Sequence, residues 1–98
     1  MNIKTFKLVS GEEVVARLIN QHCDDTKIVV EKARVMQAVH GPNGLNIALI
    51  PWFLGCPDCE VTVYTSAIIA TIAEENIPKQ LLDAYLQQTT GLDLLSKI

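Results

Sequence analysis

Residues 6–18, FKLVSGEEVVARL, constrain this chain more than any other stretch. Two apolar runs flank a turn at Ser10-Gly11-Glu12. Strand side chains alternate between faces, so Phe6 and Leu8 point one way on the first run. On the second, Val14, Ala16 and Leu18 share a face. Gly11 supplies the positive φ that so tight a turn needs. The pattern predicts a β-hairpin with one buried face, the nucleus of a small antiparallel sheet.

The rest of the chain extends that sheet. Residues 2–9 and 12–21 are the predicted hairpin strands, and the polar residues 22–26 form a loop. Residues 27–39, KIVVEKARVMQAV, predict a third strand. Its adjacent Val29 and Val30 suit burial on both sides, and its alternation loses phase near Glu31 and Lys32, where a bend or bulge belongs. A turn at 40–44 precedes a fourth strand over 45–54, which Pro51 marks as an edge or an irregular end. After a turn at 55–58, residues 60–73 read as strand interrupted near Ser66. At Pro78 the period changes: Leu81, Leu82, Tyr85 and Leu86 recur at helical spacing. Pro78 suits a first helical turn, Asn76 is a candidate cap, and Gly91 a stop signal, so a helix spans 78–90, ahead of the apolar tail LDLLSKI. The expected architecture is a single domain over 1–98, with a sheet in 1–75 and a helix and tail in 76–98. It is mainly β: a strongly bent antiparallel sheet or open barrel with one C-terminal helix. Patterning alone leaves Sm-like, SH3-like and OB-like barrels open.

Composition narrows the function classes. A chain of 98 residues buries only about two-thirds of its unfolded surface. Yet 49% of its residues are hydrophobic and the mean hydropathy is +0.25, which points to an oligomer interface. The net charge of −3 argues against a nucleic-acid binder driven by overall charge. No run reaches the roughly 18 apolar residues of a membrane span, and the opening MNIKTFKL lacks the apolar core of a signal peptide. Three cysteines without a secretion signal predict reduced thiols in the cytoplasm.

Several segments together resemble a known family. Leu8-Val9-Ser10-Gly11, then Ala16-Arg17-Leu18, the acidic Asp24-Asp25 and the run Lys27-Ile28-Val29-Val30 resemble the first motif of Sm-like proteins, including bacterial Hfq. Val63-Tyr64-Thr65-Ser66-Ala67-Ile68 is similar to the second. The whole chain also resembles small Sm-like proteins of T4-like phages and cyanophages, notably at Pro51-Trp52 and in YLQQTTG near the end; for a phage protein the location would be the host cytoplasm. The resemblance implies an open barrel that closes into a homo-oligomeric ring of about five to seven copies. It also implies RNA contact through two loops, Asp24, Asp25 and Thr26 in one and Thr65 and Ser66 in the other. Four features depart from the family. Ala16 replaces a glycine, the first loop lacks an asparagine, Thr65-Ser66 replaces Arg-Gly or Lys-His, and the helix is C-terminal. Two of the departures fall on RNA-gripping positions, so the likeness speaks more for ring formation than for RNA.

Residues 67–73, AIIATIA, give the ring a physical basis. Ala67, Ile68, Ile69, Ala70, Thr71 and Ile72 form a flat, uncharged strand that would aggregate if left open, and pairing with a second copy hides it. The bland alternative is an internal strand of a monomer. Cys56-Pro57-Asp58-Cys59 is the sharpest local feature. Two thiolates at this spacing reach one tetrahedral zinc, or form a redox pair. A structural zinc lacks two further ligands, so a solvent-facing turn with two free thiols is the simpler reading. His22 and His40 read as exposed loop residues with no catalytic partner. Trp52 and Phe53 could stack on a base, but more simply seal a barrel end. Lys27, Lys32 and Arg34 are the basic cluster, with Lys32 and Arg34 on one face and Glu31 and Glu60 able to offset them. No catalytic constellation and no cofactor is expected. Two functions remain: a non-enzymatic Sm-like ring that binds RNA, or a protein-interaction and assembly module with no nucleic-acid role.

Overall fold

The computed structural model describes residues 2–90. They form a mainly β architecture: a six-stranded antiparallel open sheet with one helix near its C-terminal end. The strands are β1 (Ile3–Leu8), β2 (Glu13–Leu18), β3 (Lys27–Gly41), β4 (Gly44–Pro51), β5 (Val61–Tyr64) and β6 (Ile68–Ile72). Helix α1 spans Lys79–Thr90. The strand order is β4-β3-β2-β1-β6, with β5 paired to the first part of β3. Gly91 and the apolar tail lie outside the described residues.

The first hairpin closes as its sequence demands. Gly11 has φ +94° and donates its N–H to the Leu8 carbonyl at 2.8 Å. The β3–β4 hairpin turns more tightly, with Gly41 opposite Gly44 and only Pro42-Asn43 between them; Gly44 takes φ +107°. Strand β2 stops at Leu18, short of the expected residue 21. Residues Asn20–His22 curl into a 3₁₀ turn instead, with the His22 N–H bonded to the Ile19 carbonyl. Strand β4 also stops early, at Pro51, so Phe53 and Leu54 lie in the following loop. The interruption near Ser66 is a 3₁₀ turn over Thr65–Ala67.

The bend expected at Glu31 and Lys32 is a β-bulge. Arg17 faces Glu31 while Val15 faces Arg34, so Ala16 alone opposes both Lys32 and Ala33. Lys32 takes φ +55°, a left-handed conformation that costs a non-glycine residue roughly 1 kcal/mol. Downstream of this kink β3 pairs with β4; upstream it pairs with β5.

Two cores lie on opposite faces of the sheet. Phe6, Leu8, Val14, Ala16, Val30, Ala33 and Val63 fill the first, with Leu18 and Trp52 packed against it. Ile3, Val15, Ile77 and Tyr85 form the second, which Leu81, Leu82 and Leu86 of α1 cover. The hairpin is therefore buried on both faces, not one: Val14 and Val15 are both fully buried. The reason is α1, which roofs the face that alternation alone assigns to solvent. The helix starts one residue later than expected. Pro78 precedes it and its carbonyl accepts the first helical bond, from Leu82 N–H at 3.0 Å. Asn76 is not the cap, since it ends a separate 3₁₀ turn over Glu74–Asn76.

Candidate functional site

The two loops assigned to nucleic-acid contact are neighbours in space. Thr65 donates its N–H to the Thr26 carbonyl at 2.9 Å and its hydroxyl to the Asp25 carbonyl at 3.1 Å. The first loop is held by its own aspartate. Asp24 Oδ1 accepts from Thr26 N–H and Thr26 Oγ1, both at 2.7 Å, and from Lys27 N–H at 3.1 Å. These bonds favour the ionised carboxylate and hold the Asp24 pKa below its ordinary value, the Thr26 hydroxyl contributing most. Asp24 is thus an acceptor already occupied by its own loop. Asp25, Thr26 and Ser66 are exposed.

Tyr64 stands beside this junction. It is 62% exposed and pairs across the ladder with Lys27. Directly paired residues share one face of the ladder, so an aromatic and a basic residue lie on the same side of the sheet here. Sequence reasoning passed over Tyr64, although alternation in VTVY places it opposite in phase to the buried Val63. Trp52 is half-buried against the first core, with its ring centroid 5.4 Å from that of the exposed Phe53.

The expected basic cluster is dismantled. Arg34 is 4% exposed. Its Nη1 donates to the Pro57 carbonyl at 2.7 Å and the Ala33 carbonyl at 3.2 Å, its Nη2 to Asp58 Oδ1 at 2.8 Å, and its Nε to Gln88 Oε1 at 2.6 Å. A buried guanidinium needs its donors satisfied, and this one is consumed internally. The offsetting carboxylate is Asp58, not Glu31 or Glu60. Glu31 pairs with Arg17, and Glu60 lies 3.9 Å from His22 Nδ1. The bulge at Lys32 is why simple alternation misjudged Arg34.

Cys56 and Cys59 are joined in a disulfide, which corrects the expectation of two free thiols. The intervening Pro57-Asp58 turn sets their Cα atoms 5.5 Å apart, within the span such a bond requires. Bonded sulfurs have no thiolate to offer zinc, so these residues are not metal ligands in this state. Among the described residues no group of three or more His, Cys, Asp or Glu is placed to hold a metal ion. Cys23 is a free, half-buried thiol that donates to the Ile19 carbonyl.

The sheet ends are open and apolar. Strand β6 pairs with β1 along one edge and ends the strand order. Ala67 and Ile68 pack toward the first core, whereas Ile69, Ala70, Thr71 and Ile72 are exposed, Ile69 at 61%. At the opposite end β4 exposes Leu45 at 64% and Ile47 at 59%. No helix among the described residues is long and apolar enough to cross a membrane. No protein-family model matches this chain, and no curated protein matches it.

Proposed function

We propose that this protein is a non-enzymatic, ring-forming assembly module, in which β6 of one copy pairs with β4 of the next. One observation carries the reading: both terminal strands of a single open sheet present rows of exposed aliphatic residues. Unpaired backbone groups beside Ile69 and Ile72 invite another strand, and Leu45 and Ile47 supply a matching apolar edge. Joining unlike edges is a head-to-tail contact, which closes into a ring when the rotation per copy divides a full turn. The copy number of about five to seven is what the resemblance to Sm-like rings implies. The resemblance to Sm-like proteins, including those of phages, supports the same assembly. A cytoplasmic setting belongs to this reading.

Sedimentation velocity tests the interface. Wild-type protein is expected to sediment as one assembled species, and Ile69→Lys as a folded monomer. An assembly unaffected by a lysine at this edge would place the contact elsewhere.

A second reading adds RNA. It is favoured by the junction of Asp24, Asp25 and Thr26 with Thr65 and Ser66, beside the exposed Tyr64. In a ring these junctions would repeat around one face, giving a multivalent surface from weak single sites. Short oligo-U and oligo-A titrations at low salt decide it, because electrostatic affinity only falls as salt rises. Binding that is lost in Tyr64→Ala supports the RNA reading. No binding at low salt leaves the assembly role alone.

A further inference from the structure

We propose that Cys56–Cys59 is a redox-responsive thiol-exchange site whose oxidised form, through the buried guanidinium of Arg34, fastens helix α1 to the sheet. The disulfide closes a solvent-exposed loop in which both cysteines are accessible. Between them sit the two groups that Arg34 requires from this loop: the Pro57 carbonyl at 2.7 Å and the Asp58 carboxylate at 2.8 Å. The remaining Arg34 donors reach Gln88 in the last turn of α1 and the carbonyl of Ala33. Gln88 in turn donates to the Leu49 carbonyl of β4 at 3.1 Å. One continuous set of bonds therefore runs from the disulfide loop through Arg34 to the helix and on to β4.

The chemistry needs only a low-molecular-weight thiol as co-reactant. Its thiolate attacks one sulfur of the pair, forming a mixed disulfide as the Cys56–Cys59 bond breaks, and the released cysteine thiolate takes up a proton. A second thiol attacks the mixed disulfide and frees the other cysteine. The protein disulfide gains two electrons and two protons, and two thiols become one small disulfide. The reduced loop is no longer pinned at 56 and 59, so Pro57 and Asp58 are free to leave Arg34. A buried guanidinium deprived of its carboxylate is strongly disfavoured. Arg34 then follows the loop toward water, which draws its Nε away from Gln88. By reciprocity, the factor by which the disulfide tightens the Arg34 contacts equals the factor by which those contacts favour the disulfide.

The test is a thiol–disulfide equilibrium of the full chain in glutathione buffers, read by alkylation and mass spectrometry, with amide hydrogen exchange of α1 measured in both states. Asp58→Ala, at an exposed position, and Arg34→Met remove the coupling from its two sides. Each is expected to lower the equilibrium constant for disulfide formation about ten-fold, the size of one charge-assisted hydrogen bond. Reduction of the wild type is expected to speed exchange around Gln88 by a similar factor, and to do so much less in Asp58→Ala. If Arg34→Met fails to fold, Asp58→Ala carries the test alone. Equilibrium constants within two-fold of wild type, or exchange in α1 indifferent to reduction, would overturn the proposal.

Discussion

Tyr85→Phe isolates a single bond at the junction of sheet and helix. Tyr85 is 1% exposed, and its hydroxyl donates to the Lys32 carbonyl at 2.8 Å. Lys32 is the bulge residue, so this bond holds the strained point of β3 against α1. Phenylalanine keeps the ring and its packing, and the apolar contribution cancels. The loss is one hydrogen bond to a carbonyl that the helix shelters. Such a bond is worth about 1 kcal/mol net, and up to about 3 kcal/mol when its partner is left dry. Lys32 is only half-buried, so water partly replaces the phenol, and the expected cost is about 1–2 kcal/mol. Urea denaturation reads this as a midpoint lowered by roughly 1 M, with unchanged slope. A second, pH-dependent signature follows. Burial pushes the phenol from 10.0 up to about 12, opposed in part by the charges of Arg34 and Arg17. A raised folded-state pKa means folding favours the protonated form. That stabilisation is complete below the unfolded value of 10.0 and is lost as pH rises to about 12. The variant has no such group, so its deficit relative to wild type should narrow over that window. A variant as stable as wild type at neutral pH, or a deficit constant up to pH about 12, would show that this bond does not hold the bulge against the helix.

Three further outcomes follow from the same geometry. Val14→Ala and Val15→Ala should each cost about 2 kcal/mol in denaturant unfolding, since both side chains are fully buried on opposite faces; a near-neutral Val15→Ala would mean that α1 does not cover its face. Lys32→Gly should stabilise by up to about 1 kcal/mol by relieving the left-handed conformation at φ +55°, and a loss of stability would show the bulge is not where strain resides. The Asp24 carboxyl, followed by NMR, should titrate below its ordinary value of 3.8, so its contribution is present above that pH and fades as pH falls through the lowered value. Thr26→Val should move that titration back upward, because the Thr26 hydroxyl is the principal cause.

Much of the sheet was legible because period-two patterning and turn chemistry are local. Gly11, the bend at Glu31 and Lys32, the break at Ser66 and the helical spacing of Leu81, Leu82, Tyr85 and Leu86 all appear where the residues place them. Coverage by a distant element was not legible. Val15 sits in an unbroken run, Val14-Val15-Ala16, whose lack of alternation was the available sign of two-sided burial. Arg34 was misread for a related reason: the bulge shifts its register, and its partners Asp58 and Gln88 lie 24 and 54 residues away. The family resemblance assigned both loops to nucleic-acid contact but did not foresee that Asp25 and Thr26 meet Thr65, because 40 residues separate Thr65 from Asp25. Cys56 and Cys59 carried the right spacing for a bond, but the reading of the compartment outweighed it.

In the proposed assembly, one open sheet is completed by identical copies joined through β6 and β4. Native mass spectrometry of the wild-type chain at micromolar concentration is the sharpest check on this assembly. One discrete closed assembly of about five to seven chains is expected, with no open-ended ladder of sizes. A monomer under the same conditions would contradict it.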